Sequence, residues 1–221
     1  MTGLRFDTYD WSGGRETMLR FGPDGGPIVI AALPLFEEAN RTRRFACTIL
    51  RALAESGIGS VLPDFPGAGE SSVATVDAKL SDQRQAYIAL AQQLGARSYA
   101  LSIRSGALLD IDVALAGRWH LAPQPGEDLV RELERTRAAA GKSDGEYAGN
   151  LLSPTMLAEL QDAVPHAGGR RRIVRLETDP RPADATYIGA PLWRRSEPGN
   201  DIVLAQHLAA DISHWIASCE S

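Results

Sequence analysis

The sequence predicts an α/β protein, a mainly parallel central sheet with helices on both faces. Three observations carry this expectation. Four short apolar runs, "PIVIAAL" from residue 27, "IGSVLPDF" from 58, "SYALS" from 98 and "GRWHLA" from 117, are continuous rather than alternating, as in strands buried on both faces. Segments of helical character separate them, an alternation that gives parallel strands joined by right-handed crossovers. The chain, 221 residues at 44% hydrophobic content, is long enough for one core of respectable size.

The elements follow in order. Before residue 27 the chain mixes aromatics, charges and glycine pairs with short alternating runs such as "TMLRF", which reads as one or two antiparallel edge strands. A helix is expected from about Thr42 to Ser56, stopped by Gly57. Residues 82–94 read as a second helix, with Tyr87, Ile88, Ala91 and Leu94 on one face. A third is expected from about Ser105 to Ala116. Residues 126–166, rich in charge, break the rhythm and read as a cap-like helical insertion within a single domain spanning 1–221. Strands resume at 170–176 and 185–190, and a last helix over 201–217 turns Ile202, Leu204, Leu208, Ile212 and Trp215 inward.

Composition narrows the function. A formal net charge of -5 and a pI near 5.4 argue against a nucleic-acid partner, which needs a basic surface. Cys47 and Cys219 have no paired spacing, so neither a disulfide framework nor a metal site is expected, and no cofactor motif is found. The first residues hold no apolar h-region and no run reaches the ~18 apolar residues of a membrane span, so a cytoplasmic protein without membrane insertion is expected.

Two turns carry the chemistry. "VLPDFPGAGESS", residues 61–72, resembles the D-x-x-G-x-G-x-S turn after an early core strand of α/β hydrolases, with Asp64 expected to bind turn amides. "YALSIRSGALLD", residues 99–110, resembles the nucleophile elbow of that fold, G-x-S-x-G, but its central position holds Arg104. A guanidinium stays protonated and cannot attack a carbonyl. It can hold an anion bidentately, helped by the amides that follow, or be tied to an internal carboxylate; both readings stay open. Registers centred on Ser102 or Ser105 lack small residues on both sides. The loop where the fold places its His reads "GAPLWRRSEPGND", with Ala190-Pro191 in the His position. Glu177 and Asp179 stand at the acid position, but an acid without a His has no triad role.

The loop after the first core strand, "LPLFEEANRTRRF", faces the elbow in that fold and supplies an oxyanion-hole amide. It brings Glu37, Glu38, Asn40, Arg41, Arg43 and Arg44, and either glutamate could reach Arg104. The arginines read as a solvated first helical turn or, given the cost of cations beside a helix N-terminus, as a sign of an anionic partner.

Taken with "GEDLVRELERTR" and "EYAGNLLSPTM", these stretches resemble one of the two hydrolase-like families that accompany the exosortase A system. The resemblance runs from about residue 17 to the last helix and rests most on the Glu-Glu-x-Asn-x-x-Arg-Arg run and Arg104. It implies an α/β-hydrolase scaffold in a Gram-negative bacterium, beside exopolysaccharide synthesis and protein sorting, without fixing a reaction. The chain departs from the family at Ser102, usually Gly, and at Asn150, usually aromatic. Two functions are weighed. The first is an accessory protein that binds an anionic small molecule or protein partner through Arg104, Ser105, Glu37, Glu38, Asn40, Arg41 and Arg44. The second is an ester or thioester hydrolase with Glu37 or Glu38 as general base and Arg104 as oxyanion stabiliser.

Overall fold

A computed structural model describes residues 3–95, 97–141 and 145–221. Eight strands form one twisted sheet: β1 (Arg5–Trp11), β2 (Gly14–Phe21), β3 (Ile28–Ala32), β4 (Gly59–Pro63), β5 (Ser98–Ile103), β6 (Gly117–Leu121), β9 (Arg171–Leu176) and β10 (Ala185–Tyr187). A short hairpin, β7 (Glu146–Tyr147) with β8 (Asn150–Leu151), stands apart. The helices are α1 (Glu37–Glu55), α2 (Leu80–Leu94), α3 (Gly126–Ala139), α4 (Pro154–Gln161) and α5 (Ile202–Glu220). The sheet order is β1-β2-β4-β3-β5-β6-β9-β10, with β1, β2 and β4 paired antiparallel and the rest parallel.

Every residue of β3, β4, β5 and β6 is buried, which is why these strands read as unbroken apolar runs. One core layer sets Phe45, Ile49, Leu50 and Leu53 of α1 and Leu204, Leu208, Ile212 and Ile216 of α5 against the sheet. The opposite layer joins Ala86, Tyr87 and Leu90 of α2 to Leu129, Leu133, Met156 and Leu160 of the 126–166 segment. That segment therefore contributes side chains to the core. Asp211 fastens α5 to three strands, accepting from Trp119 Nε1 (2.8 Å), Arg172 Nη2 (2.7 Å) and Tyr187 Oη (3.0 Å). Burial opposes its charge, but these donors outweigh burial and hold the carboxyl below its usual range.

Several expectations are corrected. No helix covers 105–116: the chain makes one 3₁₀ turn, Arg104–Leu108, and then a loop. The reason is a buried knot of charge. Asp110 Oδ2 accepts from Ser102 Oγ (2.6 Å) and lies 2.9 Å from His120 Nε2. Arg118 donates to the Asp110 carbonyl (2.8 Å) and the Val113 carbonyl (2.6 Å), occupying oxygens that a helix would pair internally. The first helix begins at Glu37, not Thr42, because Phe36 (φ 60°) turns the chain into it. Its first turn is acidic, as the helix dipole favours, and Arg41, Arg43 and Arg44 lie beyond it. Ile88 and Leu94 are only half-buried, since the inward face of α2 runs through Leu80, Gln83, Ala86, Tyr87 and Leu90. Ile202 is exposed in the first turn of α5 and Trp215 half-buried, while Ile216 points inward. Strand β10 ends at Tyr187, before the expected residue 190. Among the described residues no helix is long and apolar enough to cross a membrane.

Gly106 sets the closeness of the β5 turn to the β3 loop. A Cβ there would stand 2.4 Å from the Ala32 carbonyl oxygen and 2.6 Å from that of Leu33, both backbone. Gly106→Ala is expected to cost about 1–3 kcal/mol through this overlap. Urea unfolding should show a lower midpoint with an unchanged slope.

Candidate functional site

The carboxyl ends of the central strands carry unusual backbone. Phe36 follows β3, Arg104 follows β5 and Ala122 follows β6, with φ of 60°, 54° and 48°. These strands are neighbours in the sheet, so three strained residues share one edge. Left-handed backbone at a residue other than glycine costs of order 1–3 kcal/mol, and such costs concentrate at functional sites.

Arg104 is the charged member of this edge and is only 3% exposed. Its Nε donates to Glu38 Oε2 (3.3 Å) and its Nη2 to Glu132 Oε2 (3.2 Å). Its guanidinium lies over the Trp193 ring, 5.4 Å from the centroid, a cation–π contact. Gln124 holds Glu132 from behind, donating through Nε2 (2.8 Å), and its amide donates to the Arg104 carbonyl (3.3 Å). One cation thus meets carboxylates from two helices, α1 and α3. Burial pushes the Glu38 carboxyl above its usual range, and Arg104 offsets only part of that.

The other residues singled out in the sequence scatter. Glu37 does not reach Arg104; it pairs with Arg41 one turn along α1, and Arg41 Nη1 also donates to the Trp193 carbonyl (3.0 Å). Ser105 is fully buried, and its Oγ accepts from the amide of Leu35 (2.9 Å). One amide of the loop expected to supply the oxyanion hole therefore already has a partner. Asn40 points away from Arg104 and lines a separate cavity of about 610 Å³, with Arg43 and Asp64. Asp64 accepts from Thr17 Oγ1 (2.8 Å) and Arg43 Nη1 (3.2 Å), in place of the turn amides expected. The glycines of that turn have a steric cause: a Cβ on Gly69 (φ 60°) would fall 2.0 Å from Asp64 Oδ1. Arg44 is exposed. Asp179 is held by Arg175 (2.8 Å) and Arg181 (2.7 Å) and ionises well below the usual range, hydrogen bonds from Arg181 being the largest cause.

The histidines lie apart from Arg104's shell. His120 is buried against Asp110, His166 Nδ1 lies 3.1 Å from the Ile111 carbonyl, His207 stacks on Tyr187, and His214 is exposed on α5.

A cleft of about 380 Å³ opens beside Arg104, lined by five arginines (104, 131, 135, 181 and 194) and three carboxylates (Asp128, Glu132 and Asp179). Arg131 pairs with Glu127 and Asp128, and Arg181 with Asp179. Arg135 and Arg194 are exposed and form no ion pair among the described residues. An anion could take bidentate hydrogen bonds from these two. Among the described residues no group of three or more His, Cys, Asp or Glu could hold a metal ion.

No protein-family model matches this chain, and no curated protein matches it in sequence at a significant level. Solved structures do. An esterase of Pyrococcus furiosus, PF2001, superposes with a TM-score of 0.64 at 7% identity, covering 100% of this chain and 92% of that one. XC6422 of Xanthomonas campestris, an α/β serine hydrolase without a lid, gives 0.58 at 15% identity, covering 99% and 95%. The chain has the α/β-hydrolase fold. A third similar structure is an AqdC variant in complex with its substrate, an enzyme of recognition and ring-cleavage of the Pseudomonas quinolone signal. It gives a TM-score of 0.62 at 13% identity, covering 97% of this chain and 100% of that one. Identities this low make the likeness one of fold, and the α/β-hydrolase fold hosts more than one reaction. In that fold the nucleophile sits on a strained turn directly after a central strand. Here the residue on that turn is Arg104.

Glu132 is absent from the sequence-based set. It sits in the charge-rich "GEDLVRELERTR", but three residues after Leu129, it flanks the inward helix face that Leu129 and Leu133 make. That spacing was the available signal.

Arg104→Met should leave two carboxylates beside a neutral side chain and cost on the order of 3 kcal/mol at pH 7. Thermal and urea unfolding should show part of the loss recovered at acid pH, where the carboxyls take up protons. Glu38→Gln tests the raised carboxyl. The unfolded chain ionises Glu38 near pH ~4.3 and the folded chain higher. The wild type should therefore lose stability relative to Glu38→Gln as pH rises from about 4 through the folded value, read by urea midpoints across that window.

Proposed function

We propose that this chain is a non-hydrolytic protein of the α/β-hydrolase fold that binds an anionic small molecule, or an acidic group of a protein partner, at the carboxyl edge of its sheet. The observation that carries this reading is Arg104 on the strained turn after β5, enclosed by Glu38, Glu132 and Trp193. A guanidinium there cannot make an acyl-enzyme, and no histidine stands in hydrogen-bond contact with it among the described residues. Its charge is balanced from within, so Arg104 organises the edge, and the ligand contacts fall to Arg135 and Arg194 in the cleft beside it. Strain retained at Phe36, Arg104 and Ala122 supports a site selected for something other than stability. The resemblance to the exosortase A-associated family supports an accessory role in a bacterium, beside exopolysaccharide synthesis and protein sorting.

A fluorophosphonate probe should leave the wild type and Arg104→Ser unlabelled, as read by intact mass. A covalent serine adduct on the wild type overturns the reading. Calorimetric titration with pyrophosphate and with glucuronate should show binding of at least one, weakened tenfold or more in the Arg135→Ala, Arg194→Ala double variant. Equal affinity in both proteins overturns the site.

A second reading has one observation in its favour. Glu38, with its carboxyl pushed up by burial beside a cation, has the character of a general base facing an oxyanion stabiliser. Turnover of p-nitrophenyl esters, thioesters or lactones that Glu38→Gln abolishes would decide for it. Glu37 has no such part, being engaged by Arg41.

A further inference from the structure

The arginine cleft has a neighbour of opposite character. A second cavity, of about 510 Å³, runs between α1 and α3, and much of its wall is apolar: Leu35, Phe36, Leu129, Leu133 and Ala148. Glu132, Arg135, Trp193 and Arg194 line both cavities, so the two adjoin across these side chains. The charges of the second cavity are largely spoken for, Glu37 by Arg41 and Glu38 and Glu132 by Arg104. The two cations that form no ion pair among the described residues, Arg135 and Arg194, stand where the two spaces meet. An apolar trough of this size, in the usual range of small-molecule sites, thus opens onto a pair of free guanidinium groups.

We infer that the ligand is an amphiphile whose anionic head lies between Arg135 and Arg194 and whose apolar body occupies the trough between α1 and α3. The inference rests on the anion-binding reading above and adds the body of the ligand to it. The head would gain charge-assisted hydrogen bonds from cations that pair with no carboxylate among the described residues. The body would cover the apolar surface of Phe36, Ala139 and Ala148, over a base of buried Leu35 and Leu133, a contribution proportional to the area removed from water. Neither half alone makes full use of the site. A bare phosphate leaves the trough wet, and an alcohol of equal length leaves both guanidinium groups without an anion. Trp193, packed under Arg104 and shared by both cavities, forms the floor where head and body join.

The test compares dodecyl phosphate, inorganic phosphate and dodecanol by calorimetry on the full chain, all below the concentration at which the amphiphile forms micelles. Dodecyl phosphate should bind at least tenfold tighter than either of the others. The Arg135→Ala, Arg194→Ala double variant should lose tenfold or more of that affinity. Thr136→Trp, an exposed α3 position lining the trough but not the arginine cleft, should lose as much while leaving pyrophosphate binding unchanged. Both variants carry surface changes, and circular dichroism with thermal unfolding verifies that they fold. Equal affinities for dodecyl phosphate and inorganic phosphate, with Thr136→Trp silent, overturn the amphiphile and leave the anion site standing. Dodecanol binding as tightly as dodecyl phosphate overturns the placement of the head. Absence of binding by dodecyl phosphate overturns the inference whatever pyrophosphate does.

Discussion

A single buried cation organises the carboxyl edge of the central sheet. The Arg104 guanidinium sits in a place that offers almost no water, and its tolerance there depends on Glu38 from α1, Glu132 from α3 and the face of Trp193. Removing a charge from water is costly, and an opposite charge repays it only with good geometry and further hydrogen bonds. Gln124 completes that shell by holding Glu132. The arrangement joins the β3 loop, the β5 turn and the 126–166 segment into one unit, because each supplies a member that the others need.

The same edge is strained. Phe36, Arg104 and Ala122 adopt left-handed backbone at the ends of three adjacent strands, and the packing around them overdetermines it. Ser105 Oγ clasps the Leu35 amide, and Gly106 lets the turn press against the Ala32 carbonyl. Beneath this edge lies the second charged knot, Asp110 with Ser102, Arg118 and His120. It contains a serine, a histidine and an aspartate, yet it is wholly buried, and the aspartate stands between the other two. In a catalytic triad the histidine must hold the middle position to pass the proton. This group fixes the loop after β5.

How much of this was legible in the chain varies by physical cause. The buried strands were, because a strand covered on both faces leaves a short run of apolar residues, and the alternation with helical segments marks these runs as strands. The β4 turn was, because Gly67 and Gly69 mark left-handed backbone angles that other residues refuse. The start of α1 was not: a left-handed phenylalanine has no sequence signature. The expected helix at 105–116 failed because Arg118, far enough along the chain to belong to the next strand, takes the carbonyls a helix would use.

By itself, then, the sequence determined the layered α/β architecture, the position of the strained turn and the presence of a cation on it, since apolar periodicity, glycine geometry and residue identity are local properties. Only the tertiary structure decided which carboxylates meet that cation. Glu37 and Glu38 are adjacent in sequence yet diverge, since successive residues of a helix point about 100° apart, one toward Arg41 and one toward Arg104. Glu132, 28 positions from Arg104, arrives because α3 packs its Leu129 and Leu133 face onto the core. Pairing between distant charges is set by which faces the hydrophobic layers turn inward, and that choice is made by the whole chain at once.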